Sequence, residues 1–167
     1  MRLLDITQEQ SLSDSGLSVY EGWNEKLACD LVVASVQPHI KRYTPNDAAK
    51  RFVSLESANE WYTVKNHTTY SLYHSDTLAG IIWFRPGPKP ELGAEYSFAI
   101  RLYEDAIGKG LAYPFARIAH HDYAVKVGLL TVWLETDGDN AAALHLYKKL
   151  GYQKVGEHDG RITMVKK

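Results

Sequence analysis

Residues 94–126 spell out a strand, a glycine turn and a helix in succession, and any fold of this chain has to be built around that unit. From Ala94 to Leu102 the residues alternate strictly. Ala94, Tyr96, Phe98, Ile100 and Leu102 fall on one face, and Glu95, Ser97, Ala99 and Arg101 on the other, which is a strand with two unlike sides. Ile107-Gly108-Lys109-Gly110-Leu111-Ala112 follows and leads into a helical stretch to about Lys126, with Leu111, Phe115, Ile118 and Val125 near one stripe. Pro114 lacks an N–H and fits only the first turn, so the helix must start just ahead of it. Two close glycines at a helix start let the backbone approach a phosphate, and the free N–H groups there favour its charge. Gly108 to Ala112 is therefore a candidate anion site, although Gly-x-Gly also serves in bare structural turns.

Around that unit the period shifts along the chain. Residues 24–36 and Ser57 to Lys65 read as helices, the second entered through a serine cap, and Thr44-Pro45-Asn46-Asp47 opens a short helix between them. Residues 68–74 and 77–85 form a hairpin about Ser75-Asp76, and the Pro-rich segment Arg85 to Pro90 is a loop. Leu129 to Glu135 is the next strand, after which Asp139 caps a helix from Asn140 to Leu150 that ends at Gly151. Gln153 to Lys166 closes the chain as a hairpin centred on His158-Asp159-Gly160.

With 167 residues, 45% of them hydrophobic, the chain fills one core, and residues 1–167 are expected to form a single domain. Nineteen Lys and Arg against 20 Asp and Glu leave a formal charge of -1. No broad field then reaches toward nucleic acid or anionic lipid, and no nucleic-acid or membrane partner is expected. The start carries no basic cluster with an apolar run behind it, and no stretch approaches the roughly 20 apolar residues of a membrane span, so a cytoplasmic setting is expected. Cys29 stands alone, which excludes an internal disulfide and assigns it to core packing. The histidines are scattered and expected at the surface; His120 and His121 point about 100° apart on a helix and share no metal site.

A P-loop is excluded because no Gly is followed by Lys and then Ser or Thr. The dinucleotide fingerprint fails because Tyr113 stands where its third Gly belongs. Residues 107–112 instead resemble the signature of the GNAT family of N-acetyltransferases, which is Gln or Arg, two free positions, Gly, one free position, then Gly or Ala. Ile107 is the departure. Asn140-Ala141-Ala142-Ala143-Leu144-His145-Leu146-Tyr147-Lys148-Lys149-Leu150-Gly151-Tyr152 is similar to that family's later Asn-x-x-Ala-x-x-Leu-Tyr-x-x-x-Gly-Phe stretch. Two such motifs in order are far more specific than either alone.

The resemblance implies an α/β fold with a mixed, mostly antiparallel twisted sheet of six or seven strands and helices on both faces. It implies acetyl-CoA as cosubstrate, with the amides of Ile107, Gly108, Lys109, Gly110, Leu111 and Ala112 on the pyrophosphate and with Ile100, Arg101 and Leu102 along the pantetheine. The partners implied are acetyl-CoA and an amine-bearing acceptor, a small molecule or a peptide, with the protein a monomer or homodimer and no metal needed. Tyr147 would serve as general acid to the departing thiolate, or pack as a core tyrosine. Asn140 would touch the cofactor, serve the helix start, or both. Glu95 is the first choice as base and Glu135 the second, each also readable as a solvated or ion-paired carboxylate. Trp83, Trp133, Tyr70 and Tyr73 would line an acceptor pocket or fill the core. The alternative to an enzyme is a module that binds acyl-CoA without turnover.

Overall fold

The computed structural model describes residues 1–128 and 131–167. Its sheet holds eight strands among the described residues: β1 (Arg2–Leu3), β2 (Leu17–Glu21), β3 (Thr68–His74), β4 (Thr77–Lys89), β5 (Ala94–Leu102), β6 (Val132–Asp137), β7 (Gln153–His158) and β8 (Arg161–Lys166). Their order is β1-β2-β3-β4-β5-β6-β8-β7. Every pairing is antiparallel except β5 with β6. The expected α/β sheet is present, with one or two strands more than the six or seven read from sequence. The extra ones are β1 and β2, whose short, mixed stretches carry no clear alternation.

Helices cover both faces. On one side α1 (Gln10–Ser13), α5 (Ala112–Val127) and α6 (Ala141–Lys149) close over Val19, Leu72, Phe84, Phe98, Phe115, Leu134 and Met164. On the other, α2 (Glu25–Ala34), α3 (Pro38–Tyr43), a π-helical turn at Asp47–Arg51 and α4 (Leu55–Val64) cover Leu31, Ile81, Trp83 and Tyr103. The alternation of β5 accounts for this division, since Phe98 belongs to the first core while Ala99 packs on the second.

Several local expectations need correction. The Pro-rich segment is mostly strand, because β4 runs through Pro86, Gly87 and Pro88 to Lys89. The pairing register shifts between Pro86 and Lys89, and such an irregularity is where a strand tolerates residues without an N–H. The cap of α4 is Ser54; Ser57 sits three residues in and returns a bond to the Ser54 amide, completing a reciprocal capping box. Asn140, not Asp139, caps α6, its side chain accepting from the Ala143 amide at 3.1 Å. Val125 is 74% exposed and lies off the buried stripe of α5. Cys29 is exposed, on the outer side of α2. The strand expected from Leu129 is observed from Val132, and Leu129 and Leu130 lie outside the described residues.

Two histidines are also interior. His120 is 6% exposed and donates from Nδ1 to the Ala116 carbonyl at 2.7 Å, which leaves Nε2 to accept from the Tyr152 hydroxyl at 2.7 Å. His67 stacks on Trp61 with ring centroids 3.9 Å apart. Burial pushes both imidazoles down to about 4. Below the ordinary value of 6.5 the unfolded chain takes up protons that the folded chain refuses, so stability falls as pH drops from 6.5 toward 4. Each histidine contributes at most about 3 kcal/mol to that loss. Urea midpoints measured from pH 8 to 4.5 should be level above pH 7 and decline below it, and His120→Gln should flatten the decline; a profile level to pH 5 would reject the assignment.

Candidate active site

The sheet opens at one place. Among the described residues β5 and β6 pair only at Tyr96 with Val132 and Ser97 with Trp133, preceded by one bond from the Glu95 amide to the Thr131 carbonyl. β5 stays registered on β4 as far as Leu102, while β6 stays registered on β8 as far as Asp137. Each strand is held by its outer neighbour, so the two diverge and a cleft of about 370 Å³ forms between them. Residues 97–102 of β5 and 133–137 of β6 line it, with Asn140 and Tyr147 from α6 and His39 and Tyr43 from α3.

Beyond Leu102 lies the glycine turn. Gly108 and Gly110 have φ of +74° and +72°, a region that glycine occupies without strain, and a Cβ at either would meet no described atom within 4 Å. None of the amides from Ile107 to Leu111 donates a well-formed backbone hydrogen bond to another described residue. α5 starts at Ala112, so its first-turn amides lack intrahelical partners too, and Pro114 occupies that turn as expected. A row of unclaimed donors in an open turn at a 16-residue helix suits an oxyanion. Ile107 is 47% exposed and brings no charge, while Leu111 is buried and anchors the turn to the core.

The remaining candidates are placed as follows. The Tyr147 ring is 7% exposed, packs edge-on against Phe98 at 6.2 Å, and reaches the cleft lining with a hydroxyl that has no hydrogen-bond partner among the described residues. Burial raises its pKa above the usual phenol value, against the opposing pull of Arg101 and Arg161. Asn140 both caps α6 and lines the cleft. Glu135 lines the cleft and pairs with Lys89 at 2.9 Å. Glu95 is exposed near the start of β5 and is not part of that lining. Trp83 and Trp133 border the cleft, whereas Tyr70 and Tyr73 are core residues bonded to Asp122 and Asp30.

Two carbonyls on β5 are already occupied. His39 Nε2 donates to the Leu102 oxygen at 2.9 Å, and Arg101 Nη1 to the Ile100 oxygen at 2.9 Å. A carbonyl keeps a second lone pair, so neither bond closes the strand to a ligand. The Arg101 guanidinium itself turns toward the α3 side, where Nε meets Asp47 at 2.7 Å. Asp47 is 1% exposed and also binds Arg51. Burial alone would raise this carboxyl, but the two guanidinium groups hold it below the usual range. The Asp47, Arg51, Arg101 and Arg85 cluster was not legible in the sequence, since its members stand up to 54 positions apart.

This splayed sheet, with its glycine turn and cleft tyrosine, is the architecture of an acyl-CoA-dependent acetyltransferase domain. A model described as an acetyltransferase (GNAT) domain matches residues 20–153, and the chain belongs to that family. A mycothiol acetyltransferase from Paenarthrobacter aurescens is 38% identical over 165 residues, covering 91% of this chain and 48% of that protein. The chain spans about half the length, or less, of the curated relatives it matches. Among solved structures, a RimL ribosomal L7/L12 alpha-N-protein acetyltransferase in complex with coenzyme A superimposes with a TM-score of 0.73 at 13% identity, over 99% of this chain and 97% of that one. The aminoglycoside acetyltransferase AAC(6')-Ib in complex with coenzyme A gives 0.69 at 17% identity, over 89% and 94%. At such identities the likeness is one of fold. Among the described residues no helix is long and apolar enough to cross a membrane.

Asp47→Ala would leave the Arg101 side chain, 13% exposed, without its counter-charge. Removing one partner of a buried pair costs roughly 3–5 kcal/mol. Urea unfolding should show a loss of that order, and a change below about 1 kcal/mol would mean that the pair does not hold the π-helical turn to β5.

Proposed function

We propose that this domain moves an acetyl group from acetyl-CoA to an amine by direct attack, as an N-acetyltransferase. The observation that carries the proposal is the parting of β5 and β6 beside a turn whose amides are unclaimed. The amides of Ile107, Gly108, Lys109, Gly110, Leu111 and Ala112 would hold the pyrophosphate, and the β5 main chain from Ile100 through Arg101 to Leu102 would run beside the pantetheine. Acetyl-CoA supplies the thioester that the amine attacks.

The chain's own groups do the rest. Main-chain N–H groups of β5 left unpaired by the splay are fixed dipoles for the charge that develops on the carbonyl oxygen. The Tyr147 hydroxyl lacks a protein partner and faces the cleft, so it is free to bond the departing sulfur. An ordinary phenol giving its proton to a thiolate runs uphill by about 2 kcal/mol, and burial of Tyr147 steepens that. Its part is then a strong hydrogen bond and not full transfer. Of the two carboxylates weighed as base, Glu135 is favoured by its place in the lining over the exposed Glu95, and it would draw the amine proton through water. The proposal retains a cytoplasmic setting and a monomer or homodimer, on the strength of the sequence.

Thiol release from acetyl-CoA against a panel of small amines and peptide N-termini tests the reaction; tight CoA binding with no release on any acceptor would make this a binding module instead. Tyr147→Phe should leave the CoA dissociation constant within about twofold and lower kcat by about 10- to 100-fold. An unchanged kcat would remove the tyrosine from the chemistry. Gly110→Val should weaken CoA binding about tenfold or more by forcing a β-branched residue to a φ of +72°, and an unaltered titration would remove the amide site.

A further inference from the structure

The acceptor half of the cleft carries a charge that nothing in the protein answers. The lining holds four arginines, Arg51, Arg85, Arg101 and Arg161, against two carboxylates, Glu135 and Asp137. Asp47 is shared by Arg51 and Arg101, Asp137 is paired with Arg161, and Glu135 is paired with Lys89. No carboxylate of the lining remains for Arg85, which among the described residues makes no ion pair and no hydrogen bond. It is nevertheless partly buried. Desolvation, and then the neighbouring charge of Arg51, lower its affinity for its own proton.

The position of Arg85 separates it from the diphosphate turn. It lies opposite Ser97, where β5 and β6 part, whereas Gly80 lies opposite Leu102 at the far end of β5. Five residues of strand at about 3.3 Å each put roughly 16 Å between the two ends. Arg85 also alternates with Phe84, which packs into the α5 core, and so shares the side of Trp83, beneath α3 and α4. It lines the same cleft as Tyr147, on the side from which we take an acceptor to enter.

We infer that the amine accepted by this domain carries an oxyanion, a carboxylate or a phosphate, and that Arg85 receives that group. The inference rests on the acetyltransferase reading and narrows its substrate. A half-buried guanidinium without a counter-charge is costly, and a ligand anion offsets that cost while accepting two parallel N–H bonds from the planar fork. Arg51 alongside adds a second positive charge to the same mouth, which selects against polycationic amines.

The test compares thiol release for matched acceptors: an α-amino acid with its amide, glucosamine 6-phosphate with glucosamine, and spermidine as the polycation. The anionic member of at least one pair should be preferred at least tenfold in kcat/KM, and which pair responds tells carboxylate from phosphate. Arg85→Ala should bring that ratio close to one, mainly by raising KM for the anionic member, and Arg85→Lys should restore part of it. Equal or better turnover of the neutral members or of spermidine, or a ratio indifferent to Arg85→Ala, overturns the inference and leaves the acetyltransferase reading standing. Absence of thiol release with every acceptor, these included, overturns both.

Discussion

The structure depends on a competition for β5 and β6 that their mutual pairing loses. Parallel strands can bond along their whole length, yet among the described residues only two residue pairs of β5 and β6 form before the strands separate. On one side β4 holds β5 through register contacts from Gly80 with Leu102 to Lys89 with Ala94. On the other, β8 holds β6 from Val132 to Asp137. Sheet twist accumulates along both ladders, and side chains such as Phe98, Leu134 and Tyr147 occupy the space that opens. The exposed main chain is thus bounded by rigid neighbours, and a ligand laid between the strands would meet a surface already in place.

Charge is disposed as economically as the backbone. The net charge of -1 gives no long-range pull. Within the cleft, however, guanidinium groups outnumber carboxylates, and the buried Asp47 holds two of them in fixed positions. That carboxylate ties the π-helical turn Asp47–Arg51 to β5, so the turn is anchored to a strand that lines the cleft. A buried pair of this kind is weak evidence for stability and better evidence for geometry. Arg101 illustrates the point, since its guanidinium touches Asp47, the Ile100 carbonyl and the face of Trp83 together.

What was legible in the sequence is local. The alternation of Ala94 to Leu102, the glycine pair and Pro114 fix a strand, turn and helix within a residue or so of where they lie, because period, φ and a missing donor each act at short range. The turn at Asp159 and Gly160 is legible for the same reason, both residues having positive φ. β1 and β2 are not, because two and five residues without clear alternation become strands only through the edge that β3 offers β2 and that β2 in turn offers β1. His120 carries no sequence signal for burial, and only the fold brings the Tyr152 hydroxyl and the Ala116 carbonyl to its two nitrogens. The site divides along the same line: its backbone half follows from motif spacing, while its charged half joins the π-helical turn, β4, β5, β6 and β8.

The two halves explain each other. A phenol buried as Tyr147 is resists ionisation, so it remains a donor, and a donor without a protein partner at the base of a cleft gains most from a ligand atom that accumulates negative charge. At the mouth, Arg85 is the mirror case, a permanent cation without a protein anion. An acceptor whose anion sat at Arg85 would present its amine to the thioester of acetyl-CoA, and the departing CoA sulfur would meet Tyr147. Orientation would then come from charge at the mouth and not from a tight apolar pocket. The lining supports this with four arginines and two carboxylates set among the rings of Tyr43, Trp83, Phe98, Trp133 and Tyr147.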